Sequence, residues 1–455
     1  MEQKQQFKID SSSPLIQGVS VEVVREEQGY AFKAGAMNSV PNAWELYHDK
    51  GYGFFDAFTL KREEAEWHLP DGVSLVTKTL STGVSNGMLG QVNNRFNDQT
   101  PTFHRLVVRQ NLHHRTLTKH IESNRVQVGS TMRGGGLVNI SIGEAKYVFY
   151  DFPVKQLEEA QDQTYYFIDS SSPVLCVDFE KAVGAIIHAS AFITGELPRD
   201  EMYIVQAKDS VFHDITGAQY RRLEKSIDTG MDVVAPLTMR SLKIGEMGTG
   251  YVSEAVLSAL ASHAYHDARI LRALKIVVES GLYPLEIRGA TYSVALETIK
   301  EVILEVYQDT VKPFRDKTHA RSVIKRLREI IEGEEEERYN DKRTLLSKLD
   351  NLNAPANAAG FAACFEKLGI ELNQRDLRVL NNRNDFLHGR IPFEDEFKGK
   401  ENHELKHIVY RYHFLLSALV LKFCGYSGYI KNNATFFNAI ARPSEKADES
   451  LFRMI

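Results

Sequence analysis

Asn381-Asn382-Arg383-Asn384-Asp385-Phe386-Leu387-His388-Gly389-Arg390 is the stretch on which the reading of this 455-residue chain turns. It lies late in the chain, where apolar residues recur at helical spacing. Asn373 supplies an N-cap for the helix that carries it, and Asp376 stands three residues on, as a capping box requires. Gly389 gives the C-terminal stop, and Pro392 blocks continuation. On one continuous helix, Arg383, Asn384 and His388 fall at roughly 0°, 100° and 140° around the axis. They are expected in one sector, with His388 in the last turn.

An arginine, an amide and a histidine converging at a helix end suit phosphate chemistry. An imidazole's free pKa lies close to working pH, so His388 can move a proton to or from a ribose hydroxyl or a leaving oxygen. Arg383 can hold a phosphate and stabilise charge growing on its oxygens. Asn384, four residues before His388, can orient the ring or bond substrate. The same residue types also make an ordinary solvated helix end, and spacing alone leaves both readings open.

Arg383-Asn384-Asp385-Phe386-Leu387-His388 resembles the Arg-polar-x-x-x-His signature of HEPN domains (higher eukaryotes and prokaryotes nucleotide-binding). The likeness extends to the apolar helix that follows, Leu405 to Phe423, and to its closing turn Gly425-Tyr426-Ser427-Gly428. That order resembles the ApeA-like branch found in abortive-infection proteins and covers about a third of the chain, residues 286–435. The resemblance implies a helical bundle that pairs with a second copy through this domain and cuts RNA without a metal or other cofactor. The ribose 2′-hydroxyl is then the nucleophile, Arg383 and His388 the catalytic pair and Asn384 their polar support. It further implies a role in anti-phage defence, with a phage-derived trigger. A second class of function stays open: a non-catalytic bundle that binds nucleotide or RNA, or that serves dimerisation.

Composition sets the frame. At 43% hydrophobic and 25% charged residues the chain reads as globular, long enough for two or three domains. A net charge of −5 gives no global attraction to nucleic acid, so RNA contact has to come from a local patch. Cys176, Cys364 and Cys424 are too scattered for a disulfide framework or a zinc knuckle, which points to the reducing cytoplasm. Met1 to Gln6 carries no apolar signal core, and no run reaches the length of a membrane span.

The expected fold class is α+β: a β-rich N-terminal region followed by an all-α, HEPN-like bundle. Residues 1–245 form the first region, a sensor or substrate platform with a break near 155–164. Its strands include Val19–Val24, Tyr147–Tyr150, Val174–Phe179 and Met202–Val205, and its single helix is placed at 215–228. Arg133-Gly134-Gly135-Gly136 reads as a turn between strands. His104, His113, His114 and His120 lack the spacing of a known metal site. Together with Arg105, Arg109, Arg115 and Lys119 they read as a basic or simply solvated strand face.

Gly245 to Gly250 reads as a linker, with Ser253 capping one helix over 253–279, so that 246–285 is linker and connecting helix. The bundle occupies 286–435 and a tail 436–455. A helix at 318–331 carries Arg321, Lys325 and Arg328 at i, i+4 and i+7, followed by the acidic run Glu332 to Glu337. It reads as a solvated basic helix or as a track for the RNA backbone. Arg378 and Arg390 add positive charge near the motif and are further candidate substrate contacts.

One competing motif remains. His403-Glu404-Leu405-Lys406-His407 has the His-Glu-x-x-His form of zinc proteases, and His413 stands where a metzincin's third ligand would follow. Tyr410 occupies the position where that chain turn needs glycine. On an uninterrupted helix His413 lies roughly 280° round from His403. A metalloprotease is therefore the remote alternative, and no metal site is assigned.

Overall fold

The computed structural model describes residues 4–8, 20–26, 29–34, 65–69, 73–77, 86–94, 99–110, 117–128, 131–155, 162–199, 201–222, 226–245, 250–307, 313–314, 316–353, 357–387, 401–441 and 449–455. The chain is a mixed α/β protein, with an antiparallel sheet in its N-terminal half and helices through its C-terminal half. It divides into two compact units. One comprises Met1–Gly230 with Val252–Tyr265, and the other Met231–Tyr251 with His266–Ile455. The span 246–285 is thus shared between them. The helix expected over 253–279 breaks at Asp267, whose carboxylate accepts from the Arg269 backbone N–H at 2.8 Å and starts a second helix.

In the first unit the strands are β1 (Lys4–Lys8), β2 (Ser20–Glu26), β3 (Gly29–Ala34), β4 (Ala65–Leu69), β5 (Val73–Thr77), β6 (Asn86–Asn94), β7 (Phe103–Gln110), β8 (Asn124–Val128), β9 (Thr131–Ile142), β10 (Ala145–Lys155), β11 (Asp162–Ser170), β12 (Glu196–Leu197), β13 (Glu201–Ala207), β14 (Ile215–Arg222) and β15 (Ile227–Asp228). The main sheet runs β1-β2-β3-β6-β14-β13-β7-β11-β10-β9-β8, and β5 also pairs with β6 and with β4. Period-two alternation is plain in β7, where His104, Leu106 and Val108 are fully buried and Arg105 and Val107 are not.

Three expectations fail in this unit. Val174–Phe179 is not a strand but leads into the helix Cys176–Thr194. The apolar run continues as Ala182, Val183, Ile186 and Ile187, a helical period that outweighs the β-branched start. Gly195, at φ +75°, ends that helix in the left-handed region. The helix placed at 215–228 is instead the strands β14 and β15. The Asp209 carboxylate accepts from the N–H groups of Val211, His213 and Asp214, a turn that returns Ile215 antiparallel to β13. Finally, the Arg133 glycine run lies inside β9 at a bulge opposite Arg125 and Val126, not in a turn. The break expected near 155–164 falls between β10 and β11, which pair with each other, and residues 156–161 lie outside the described residues.

The second unit is built around the helix Leu285–Val306, which buries Tyr292, Ala295, Leu296, Ile299 and Ile303. It packs against Ala268–Glu279, Asn357–Lys367, Asn384–Leu387 and the long helix Glu401–Phe423. The last of these buries Val409, Tyr412, Leu415, Leu416 and Leu419. Of the expected tail 436–455, residues 436–441 and 449–455 are described. Strand β17 (Phe452–Met454) pairs with β16 (Tyr429–Lys431), and Phe452 packs with Ala235 and Met239. That packing also explains why 231–251 joins this unit. No helix among the described residues is long and apolar enough to cross a membrane.

Candidate functional site

The helix that leads to the motif starts as its sequence requires. The Asn373 side chain accepts from the Asp376 N–H, and the Asp376 carboxylate accepts from the Asn373 N–H, a complete capping box. The helix does not run through the motif, however. Gln374–Asn381 ends at Asn382, whose N–H and side-chain amide both donate to the Arg378 carbonyl, and a separate short helix covers Asn384–Leu387. The single-helix geometry assumed for Arg383 and Asn384 therefore does not hold. Asn384 opens the short helix. His388, Gly389 and Arg390 lie outside the described residues.

At the break stands Arg383, only 2% exposed. One terminal nitrogen donates to the Leu380 carbonyl at 3.0 Å, and the other to Glu297 Oε1 at 3.2 Å. The guanidinium carbon sits 4.2 Å from the centre of the Phe361 ring, while Nε is buried without a hydrogen-bond partner among the described residues. Lys300 binds the other oxygen of Glu297 and lies 4.8 Å from the same ring. The solvated-face reading thus does not apply to Arg383. In this conformation its guanidinium faces carboxylate, carbonyl and ring rather than open solvent.

The short helix is held by packing. Phe386 is buried edge-on to Tyr412, with ring centres 5.8 Å apart. A methyl group at Gly289 would meet the Phe386 ring at 2.7 Å. Gly289 is thus the residue that lets the motif segment approach the central helix. The Tyr412 hydroxyl donates to the Val379 carbonyl at 3.0 Å, tying the two motif helices to the long one.

A second ionic cluster lies at the start of the motif helix. Arg411, fully buried, donates to Asp376 Oδ1 at 3.1 Å and also to Glu449. Arg453 donates to Asp376 Oδ2 at 2.7 Å, and Asn373 to Glu449 at 2.9 Å. Burial alone would raise the Glu449 carboxyl, but Arg411 holds it below the ordinary value.

Of the zinc-protease pattern, the side chain of His403 lies outside the described residues. His413 is buried at a ring-centre distance of 5.7 Å from Tyr292, and desolvation pushes its pKa down to about 3. His407 is held at about 4, first by burial and then by Arg411. No group of three His, Cys, Asp or Glu among the described residues is placed to hold a metal. In the first unit, His104 is buried with Thr102 O 2.9 Å from Nδ1, stacked on Phe179, and His120 is also buried; His113 and His114 lie outside the described residues.

On the helix Lys317–Gly333, Lys325 faces Glu329 at 3.8 Å, and Arg328 is taken up by Asp350 and Glu332. Arg321 and Arg378 are exposed.

Sequence reasoning missed Glu297, Lys300, Phe361 and Gly289. The first two carried a signal: a Glu-x-x-Lys pair inside an otherwise apolar helix pattern. No family model, curated protein or solved structure matches this chain.

Proposed function

We propose that the helical unit is a metal-independent endoribonuclease of HEPN type, working as a pair of chains in anti-phage defence. Attack of the ribose O2′ on phosphorus forms one P–O bond and breaks the P–O5′ bond. One proton leaves the 2′-hydroxyl and one arrives at O5′, so an imidazole and a positioned cation suffice for the balance. His388 is the proton-transfer group in this reading, supported by Asn384, with Arg378 and Arg390 as phosphate contacts.

The observation that carries the reading is the anchoring of Arg383. A guanidinium gripped by Glu297, the Leu380 carbonyl and the Phe361 ring fixes the segment leading directly into His388. In the conformation described, Arg383 acts as a positioning residue, and contact with a phosphate requires it to leave Glu297. The test is cleavage of total RNA by the full chain in the presence of EDTA. His388→Ala should lower the rate by about 100-fold or more. Unchanged cleavage by that variant would falsify the assignment.

The same burial favours a second reading, a non-catalytic bundle in which Arg383 is a structural cross-link. RNA bound but left intact by the wild-type chain would select it.

A further inference from the structure

The helix Lys317–Gly333 and the helix Lys342–Asp350 form a hairpin whose apolar residues are, among the described residues, mostly half-covered rather than buried. Ala320, Val323, Ile324, Leu327, Ile330 and Ile331 recur at i, i+3, i+4, i+7, i+10 and i+11, one continuous stripe. Only Ala320 is buried, and Ile330 is 63% exposed. The second arm brings Leu345, Leu346 and Leu349 but has no buried residue at all.

Charge along the first arm and the turn that follows it is divided. Residues 317–328 contain five Lys or Arg and no carboxylate, whereas residues 329–337 contain six Glu and no Lys or Arg. An antiparallel copy of the same segment is therefore its electrostatic complement, while a parallel copy sets like against like. RNA fits less well, because the six glutamates repel phosphate and Lys325 and Arg328 already face Glu329, Glu332 and Asp350.

We infer that this hairpin is a self-association surface, on which a second copy of the chain docks antiparallel across a two-fold axis near Leu327. Ile324 then meets Ile330 of the second copy, and Val323 meets Ile331. The inference deepens the paired-chain part of the reading above. Its readout is molecular mass, so it stands or falls independently of RNA cleavage.

The test is sedimentation of the full chain over a range of concentrations. Wild type should dimerise, more weakly as salt rises. Ile330→Glu, at an exposed position, should raise the dimer dissociation constant by roughly tenfold or more. Two charge sets provide the sharper arm: Arg321→Glu with Lys325→Glu and Arg326→Glu, and separately Glu329→Lys with Glu335→Lys and Glu337→Lys. Each alone should be monomeric, and mixing the two should restore the dimer, which also shows that both are folded. A monomeric wild type overturns the inference, as does a dimer indifferent to these changes. Loss of RNA binding in the first set with unchanged mass assigns the basic face to RNA and overturns it too.

Discussion

Two buried arginines in the helical unit show what different partners do to the same side chain. Arg411 is fully enclosed and answers two carboxylates, Asp376 and Glu449, with Asp376 itself fully buried. Arg383 has one carboxylate, Glu297, which is a quarter exposed and also serves Lys300. Removing Arg411 takes a shared cation from two carboxylates, leaving the fully buried Asp376 with Arg453 alone, whereas removing Arg383 leaves a carboxylate that keeps Lys300 and reaches water. The first arginine is a structural lock, and the second sits in a grip that can open.

That contrast can be broken by measurement. Arg411→Ala should cost about 3–5 kcal/mol in urea unfolding, because Asp376 and Glu449 lose their shared buried cation and Asp376 keeps only Arg453. A loss no larger than that of Arg383→Ala would dissolve the distinction.

Acid should come next, through the neighbouring histidines. In the folded chain His407 and His413 titrate only near about 4 and about 3, against 6.5 for the free group. The unfolded chain therefore binds protons first. Their stabilisation is complete above pH 6.5 and drains away as pH falls towards 4 and then 3. His413→Phe should remove up to about one proton from that pH slope, seen as flatter thermal midpoints between pH 6 and 4.

Arg383→Ala should cost about 2–3 kcal/mol, less than Arg411→Ala because Glu297 rehydrates. RNA cleavage should fall by more than that stability loss explains, since the segment before His388 is no longer fixed. Gly289→Ala should be the mildest, about 1–2 kcal/mol from crowding Phe386, with cleavage reduced while Arg383 stays intact. Equal activity in Gly289→Ala and wild type would show that the short helix need not be held so closely.

Local chemistry was legible in the sequence and distant pairing was not. The capping box at Asn373 and Asp376 involves residues three apart, and the core face of Leu285–Val306 follows from one period. The break at Asn382 is not legible in the sequence because asparagine is tolerated in helices. What ends the helix there is a side chain folding back to the Arg378 carbonyl, an option that asparagine merely permits. Glu297 stands 86 residues before Arg383, and nothing in either neighbourhood announces the other. The six residues of Val174–Phe179 fit both a strand and a helix period, and only the residues beyond them decide.

The link from Glu449 and Arg453 to the cap of the motif helix carries a practical message for anyone handling this protein. Asp376 is both the first fastening of that helix and the mooring for residues 449–453. Perturbing those few residues, by substitution or by a bulky fusion placed against them, should propagate through one carboxylate to the turn that holds Arg383. Fluorescent or affinity groups are better carried elsewhere.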